Sequence, residues 1–220
     1  MISDILRQYV HNNIDSTRQL KLDRHEYLYT ESEPANEIYF VDSGLIMITK
    51  LFPDGSEVGI MLLSDNKIFG HCEVLSGIDR EYQAMALTSC NIWAVKSKNF
   101  LNEMKNSNEF SLAIAQLQNE NIRQTGRHIS TISHCDVTKR LINTLGDIAQ
   151  SMGRKDCKHT YVRPCPTHQD LATMIASTRE TVSVIMGKLR RENLIDFDRK
   201  ELRIFDEKKL AENVRTETLN

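Results

Sequence analysis

The sequence predicts an α+β protein with an N-terminal antiparallel β-roll, a long central helix and a C-terminal winged helix-turn-helix. Three observations predict this fold class. Short β-rich runs separated by turn residues fill the chain from Tyr27 to about Ser97. A long stretch of helical periodicity follows, and two capped helices with a pair of alternating strands come last. The expected domains are residues 1–108, 109–136 and 137–220.

Composition indicates a globular protein rather than a membrane-bound or exported one. Of the 220 residues, 40% are hydrophobic and 26% are charged, which is enough apolar material for a core. No run of 18 apolar residues occurs, and the start MISDILRQYV lacks a signal-peptide pattern. We therefore expect no membrane contact and a cytoplasmic location. The motifs G-x-S-x-G and H-E-x-x-H and a phosphate-binding glycine loop are missing, so we expect no enzyme activity.

The five cysteines are scattered, at positions 72, 90, 135, 157 and 165. An odd number without a C-x-x-C motif argues against a disulfide framework and against a zinc site. Reduced thiols and no metal site are expected. Cys157 and Cys165 could form a redox pair only if their Cα atoms come within ~7 Å.

The first domain is expected to begin with a helix at residues 3–20, with Ile5, Leu6, Tyr9 and Val10 on one side. Strands and turn residues then alternate every 8–12 residues, as in a β-roll or barrel. The expected strands are Glu37–Val41, Leu45–Phe52, Glu57–Leu63, Tyr82–Ser89 and Ile92–Val95. Pro53-Asp54-Gly55-Ser56 predicts a hairpin turn, because proline presets φ and glycine accepts positive φ.

The central helix carries one mixed stripe at spacings of three, four and seven residues. The stripe packs on its own domain or on a partner helix, and we expect it to form a homodimer interface. Its residues are Ile114, Leu117, Asn121, His128 and Ile132. Asp136 is the expected N-cap of a further helix, Val137–Ser151, which Gly153 ends.

The last third contains the most informative pattern, two capped helices joined by a short turn. Thr167 and Asp170 form the start of the first helix, and Ser177 with Glu180 form a capping box for the second. Ala176-Ser177-Thr178 is the turn between them. The inward faces are expected to be Leu171, Ala172 and Ile175, then Val182, Ile185, Met186 and Leu189. Leu194–Phe197 and Leu202–Phe205 alternate around a charged turn and predict a two-stranded wing.

The outward face of the second helix fits the major groove of DNA. Arg179 matches the two acceptors of guanine, and Glu180 can accept from the cytosine amine. Residues 137–220 carry 16 Lys and Arg against 12 Asp and Glu, a mild excess that suits a polyanion. The expected DNA contacts are Arg179, Glu180, Ser183, Lys188, Thr167, Thr178, Arg199 and Lys200.

At these residues the sequence resembles the cyclic-AMP receptor protein/FNR (Crp/Fnr) family of bacterial transcription regulators. STRETVSVIMGKLRRENLI resembles the recognition helix and following turn of that family. DVTKRLINTL resembles its hinge, and IYFVDSGLIMI with IFGHCEVLSG resembles its β-roll. The resemblance implies a cyclic-nucleotide-binding-like roll, a dimer on a two-fold symmetric operator, and RNA polymerase as a partner. It marks Arg179 and Glu180 as base readers and Lys188 as a phosphate contact.

Two departures concern the DNA-binding part. Val184 stands where many relatives carry a second base-reading arginine, so the half-site is expected to lack one guanine-directed contact. Ala176 replaces the common turn glycine. A positive φ at that position would cost of order 1 kcal/mol.

The effector pocket departs further from the family pattern, whose candidate positions here are Gly70, His71, Arg80, Glu81 and Thr125. His71 replaces the ribose-binding glutamate, and Glu81 beside the phosphate-binding Arg80 would repel a phosphate. Only Thr125 matches a hydroxyl that family members use for the base. Cyclic AMP is therefore not the expected ligand, and the effector stays unknown.

Other cofactors and functions are weighed against the regulator. No cysteine precedes Cys72, so an N-terminal iron–sulfur cluster is not expected. His71-Cys72 lies where haem-binding relatives place ligands, but neighbours on a strand point to opposite faces, so haem is not expected either. The alternatives are a β-roll module that regulates a partner protein, and a haem-sensing or redox-sensing family member. The operator sequence, and whether the protein activates or represses, stay open.

Overall fold

A computed structural model of the protein describes residues 2–12, 17–156 and 158–210. These described residues divide into two compact units, the first within residues 2–56 and 60–127 and the second within residues 57–59 and 128–210. Among the described residues, none of the helices combines the length and the apolar character needed to cross a bilayer.

The first unit is a β-roll of two four-stranded sheets with helices around it. One sheet has the order β1-β8-β3-β6 and the other β2-β7-β4-β5. The strands are β1 (Thr17–Leu22), β2 (Tyr27–Tyr29), β3 (Glu37–Ser43), β4 (Ile46–Leu51), β5 (Glu57–Leu63), β6 (Ile68–Phe69), β7 (Gln83–Ala86) and β8 (Cys90–Lys96). The helices are α1 (Ile2–Asn12), α2 (His71–Ser76), α3 (Ser97–Asn106) and the long α4 (Asn108–His134).

Two apolar clusters hold this unit together. One fills the roll, where the rings of Tyr39 and Phe69 lie 5.4 Å apart. The other joins the roll to its helices, and Phe110 of α4 contacts Tyr9 at 4.6 Å and Phe100 at 5.8 Å between ring centroids. Aromatic pairs at these distances add to the stabilisation that comes from burying their area.

The hairpin between β4 and β5 forms where the sequence predicts it. Phe52 donates its backbone N–H to the carbonyl of Ser56 at 2.9 Å, and Gly55 has φ 82°. The Asp54 carboxylate accepts hydrogen bonds from the backbone and hydroxyl of Ser56, and these bonds lower the pKa of that carboxyl group. The turn chemistry explains why this hairpin could be recognised from sequence.

Two expectations about the first unit are wrong. The leading helix ends at Asn12, and residues 17–22 form β1, because TRQLKL pairs along its whole length with β8. The side chain of Leu6 and residues 13–16 lie outside the described part. His71 and Cys72 were expected on a strand but begin α2, which lies between two glycines of left-handed conformation, Gly70 (φ 72°) and Gly77 (φ 66°).

The second unit contains α5 (Val137–Met152), α6 (His168–Met174) and α7 (Arg179–Arg191). Its strands β9 (Arg154–Lys155), β10 (Thr160–Val162), β11 (Ile195–Phe197) and β12 (Leu202–Ile204) form one sheet in the order β11-β12-β10-β9. Asp136 caps α5 as predicted, with its carboxylate accepting from the N–H of Lys139 at 2.9 Å. Gly153 ends α5 with φ −69°, and a Cβ there would lie 2.2 Å from the carbonyl oxygen of Ala149.

Candidate functional site

Helix α6 begins with the capping box that the sequence predicts. The Thr167 hydroxyl accepts from the N–H of Asp170 at 3.0 Å, and the Asp170 carboxylate accepts from the N–H of Thr167 at 2.8 Å. Leu171, Ala172 and Ile175 are buried, as expected. Because both ends of the box are satisfied within the chain, the start of α6 is fixed without a ligand.

The turn between α6 and α7 differs by one residue from the prediction. The N-cap of α7 is Thr178, whose hydroxyl accepts from the N–H of Thr181 at 3.2 Å, so the expected capping box of Ser177 with Glu180 is wrong. Glu180 then lies one position earlier in the helix, and its carboxylate does not cap the backbone. Ala176 has φ 50°, the left-handed conformation that favours glycine.

Helix α7 has one buried face and one exposed face. The predicted inward residues Val182, Ile185, Met186 and Leu189 are all buried. The opposite face presents the candidate base-reading residues, of which Arg179, Glu180 and Ser183 are exposed and Lys188 is half-buried. Val184 lies on this face with 70% of its surface exposed. Helical spacing therefore places these groups together, as the sequence predicts.

The two charged side chains at the start of α7 have no ion-pair partner among the described residues, whereas charged side chains near them are paired. Within the described residues, neither Arg179 nor Glu180 has a hydrogen bond or an ion pair through its side chain. In contrast, Arg190 near the end of α7 pairs with Asp196 at 2.8 Å, and Arg163 pairs with Glu201. A guanidinium and a carboxylate that stay free on one exposed face are available to a ligand from outside the chain.

Strands β11 and β12 form the predicted wing, with a tight turn at its tip. Asp198 donates its N–H to the carbonyl of Glu201 at 2.9 Å, and its carboxylate accepts from the N–H groups of Lys200 and Glu201. These bonds lower the pKa of the Asp198 carboxyl group. Arg199 and Lys200 are exposed at the tip, where two cations can reach a phosphate backbone.

His168 also belongs to this surface, although the sequence did not single it out. Its ring lies 5.5 Å from that of Phe197 in the wing. Burial lowers the pKa of His168, and the positive charge of Arg179 lowers it further. The lowered pKa favours the uncharged imidazole, which packs edge-on against Phe197 of the wing. No sequence pattern marks this role, because it depends on contact between the wing and α6.

In the roll, Arg80 is committed to contacts within the chain. It is 3% exposed, and its Nη1 donates to the carbonyl of Gly70 at 2.7 Å and lies 3.5 Å from the Glu73 carboxylate. Its Nη2 donates to the carbonyl of Glu37. The guanidinium also lies over the Tyr29 ring, 4.4 Å from its centroid. The cation that would bind an effector phosphate thus already has an anionic partner.

The carboxylate next to Arg80 comes from Glu73 and not from the adjacent Glu81. Glu73 is 5% exposed and projects from α2, while Glu81 is exposed and uses its backbone carbonyl to accept from Lys50. The sequence reasoning missed Glu73 because α2 was not recognised. Gly70 suits this position, because its φ of 72° is left-handed and a Cβ there would lie 2.8 Å from Nη1 of Arg80.

His71 and Cys72 do not form a common ligand site. His71 is 1% exposed, whereas Cys72 is exposed and its Sγ accepts from the Gln118 amide at 3.4 Å. Burial lowers the pKa of His71 to about 4. The described residues hold no cluster of three or more His, Cys, Asp or Glu suited to a metal. Cys157 lies outside them, so the condition for a redox pair with Cys165 stays open. Thr125 is half-buried on α4.

Helix α4 exposes a different stripe from the one expected to form the dimer. Ile114 and Leu117 are 2% and 6% exposed and belong to the core that joins the roll to its helices, so they cannot face a partner. Asn121, His128 and Ile132 are half-buried. Ile122 and Ile129 are 70% and 58% exposed, and Ala115 and Gly126 are exposed on the same face. This exposed seam lies about a quarter turn from the expected stripe.

Comparison with family profiles gives two matches that together span both units. The Cyclic nucleotide-binding domain profile matches residues 19–107. The Crp-like helix-turn-helix domain profile matches residues 139–213. The two profiles therefore cover the β-roll and the helix-turn-helix with its wing, in the order that the sequence predicts.

Curated proteins with similar sequences are transcription regulators. The global nitrogen regulator of Synechocystis is 28% identical over 184 residues, which is 83% of this chain and 82% of that protein. The CRP-like cAMP-activated global transcriptional regulator of Mycobacterium tuberculosis is 22% identical and covers 90% of each chain. Among solved structures, a CRP-family transcriptional regulator from Thermus thermophilus has a TM-score of 0.78 at 23% identity, over 89% of this chain and 96% of that one.

Proposed function

Because this chain belongs to the cyclic-AMP receptor protein/FNR family of transcription regulators, we propose that it binds a two-fold symmetric DNA operator as a homodimer. The observation that carries the proposal is the exposed, uncommitted pair Arg179 and Glu180 in the first turn of α7. The first turn of a recognition helix is the part that reaches base edges in the major groove.

The side chains around α7 divide into base readers and phosphate contacts. Arg179 donates to O6 and N7 of guanine, Glu180 accepts from N4 of cytosine, and Ser183 can pair with either kind of edge. The remaining groups lie at helix starts, at the wing tip or later on α7, and they bind phosphate and fix the register on the duplex. They are Thr167, Thr178, Lys188, Arg199 and Lys200.

Two single variants separate these roles. Arg179→Ala should cost ~1–3 kcal/mol on the preferred site and relax base choice at one position. Lys188→Ala should weaken specific and non-specific binding about equally. Fluorescence anisotropy with the preferred site and with a scrambled duplex, at one fixed salt concentration, measures both effects. If Arg179→Ala keeps the base preference of the wild type, the proposed docking is wrong.

The dimer interface that we propose is the seam of α4 formed by Ala115, Ile122, Gly126 and Ile129. Two isoleucines that are more than half exposed on one helical face are costly in water and gain by burial against a second copy. A Cβ at Gly126 would meet nothing within 4 Å among the described residues, so no contact that the structure describes requires this helix-interior glycine. A close approach of the partner helix explains it.

We propose that the conformation of the roll allows the protein to bind its operator in the absence of cyclic AMP. The phosphate of a cyclic nucleotide would have to displace Glu73 from Arg80, and both groups are more than nine-tenths buried. Calorimetry with cyclic AMP and cyclic GMP, alongside operator binding with and without each, tests this. Micromolar binding of a cyclic nucleotide together with a tenfold gain in operator affinity would contradict it.

We further propose RNA polymerase as the protein partner and the cytoplasm as the location.

A further inference from the structure

Val184 is the most exposed of the large apolar side chains on α7, and it lies within the DNA-reading face. It exposes 70% of its surface, one helical turn after Glu180 and one turn before Lys188. Valine is a weak helix former, and an exposed valine gains nothing from burial. Neither helix stability nor the core of the second unit therefore accounts for valine at this position.

A second feature of the same face also lacks an explanation within the chain. Gly187 lies in the interior of α7, three residues after Val184, and a Cβ there would have no atom within 4 Å. A glycine inside a helix destabilises it relative to alanine. Val184 and Gly187 lie three residues apart on one side of α7, and neither carries a long or charged side chain, so a partner surface can approach the helix closely at this point.

Duplex DNA offers one apolar group in the major groove, the 5-methyl group of thymine. A valine in a helix keeps nearly one side-chain rotamer, so its two methyl groups are already placed before binding and little rotamer entropy is lost. We propose that Val184 selects a thymine by contact with this methyl group. The inference rests on the proposed DNA binding and adds to it a base that no hydrogen-bonding residue of α7 would read.

The spacing along α7 places this thymine relative to the other contacts. Four residues of α-helix advance about 6 Å, while successive base pairs are about 3.4 Å apart. The thymine should therefore lie within about two base pairs of the one that Glu180 reads. The expected preference for thymine over uracil is about fourfold, which corresponds to ~0.8 kcal/mol for one buried carbon group.

The test is a cycle that combines a protein change with a base change. The operator is first selected from a random duplex pool with the full-length wild type, and each thymine in it is then replaced by uracil, which lacks only the methyl group. Affinities are measured for the wild type and for Val184→Ala. At one symmetric pair of positions, uracil should weaken the wild type about fourfold per half-site and leave Val184→Ala unaffected.

Controls and outcomes separate this inference from the proposed function. Thymines elsewhere in the operator control for general effects of the methyl group, and Leu112→Ala, which removes exposed apolar carbon on α4, should respond to uracil as the wild type does. If an operator is selected but no thymine shows a loss that depends on Val184, the inference is wrong and the proposed function stands. If the wild type enriches no motif, the proposed function fails and the inference fails with it.

Discussion

Two arginines of this chain have opposite environments, and the difference decides what each can do. Arg80 is buried, with Glu73, two backbone carbonyls and an aromatic ring around its guanidinium. Arg179 is exposed and has no ion pair among the described residues. A guanidinium that is already neutralised stabilises the fold, whereas a free one is available to an external acceptor. Arg179 is therefore available to an external acceptor, such as the DNA that we propose, whereas Arg80 is not.

His71 makes the stability of the first unit depend on pH. Its folded pKa of about 4 lies below the ordinary value near 6.5, because burial disfavours the charged imidazole. Between these values the unfolded chain binds a proton that the folded chain does not. The free energy of unfolding should therefore fall as pH drops from about 6.5 toward 4. At pH 5 the protein should have lost about 2 kcal/mol of stability through His71, relative to neutral pH.

Urea denaturation at pH 7 and pH 5 measures this contribution. His71→Gln should lose less stability between the two pH values than the wild type does. His134→Gln, which changes an exposed histidine at the end of α4, is the matched control and should behave like the wild type. An unchanged loss in His71→Gln would show that other groups cause the acid sensitivity.

Ala176 carries backbone strain in the turn of the helix-turn-helix. Its φ of 50° is unfavourable for a residue with a Cβ, so Ala176→Gly should stabilise the second unit by about 0.5–1 kcal/mol. Thermal unfolding followed by circular dichroism measures the change. A decrease in stability for Ala176→Gly would mean that the turn is not strained.

Gly187→Ala replaces a glycine inside helix α7 that has open space around it among the described residues. This variant should also raise the melting temperature.

At the scale of elements, the sequence predicted those whose ends carry local chemistry. The β4–β5 hairpin, the cap of α5, the capping box of α6 and the wing were all recognisable, because each depends on residues a few positions apart. The fold class and the buried face of α7 followed from periodicity. Helix α2 is too short for a periodic signal. The buried pair of Glu73 and Arg80 depends on tertiary contact. For these reasons the sequence predicted neither helix α2 nor this ion pair.

Helix α4 shows how periodicity alone can mislead. The stripe through Ile114 and Leu117 has the expected spacing but packs within its own unit, and the exposed isoleucines that we propose as the seam lie on a neighbouring face. A helix that packs on a roll and on a second helix needs two apolar faces. Spacing identifies the apolar residues of such a helix but does not assign them to one face or the other.

The double variant Ile122→Glu/Ile129→Glu should dissociate the dimer, because it places charges at the centre of the seam. The variant Gln116→Glu is the matched control, since Gln116 is exposed on the same helix but lies about a quarter turn beyond Ala115 and away from the seam. Light scattering at several protein concentrations distinguishes the double variant from the control. A double variant that remains fully dimeric would contradict this interface.

In contrast, Leu117→Asp should unfold the first unit, because Leu117 is only 6% exposed.

At the scale of the whole molecule, the two units differ in what they leave open. The first unit keeps the architecture that matches the Cyclic nucleotide-binding domain profile, but internal contacts occupy Arg80, the candidate for phosphate binding. The second unit leaves the start of α7 and the wing tip free. A ligand can shift an equilibrium only by its differential affinity for two states, so we expect cyclic AMP to be a poor switch for DNA binding if the contacts of Arg80 with Glu73 weaken its binding.

Selection of DNA sites from a random duplex pool, with the full-length protein and no added nucleotide, tests whether the protein is a sequence-specific DNA binder that does not need cyclic AMP. We expect a two-fold symmetric motif whose half-sites lie one helical turn apart, about 10–10.5 base pairs between centres, or a multiple of that distance. Each half-site should contain a guanine that becomes dispensable in Arg179→Ala. No enriched motif, or enrichment only after cyclic AMP is added, would contradict the account.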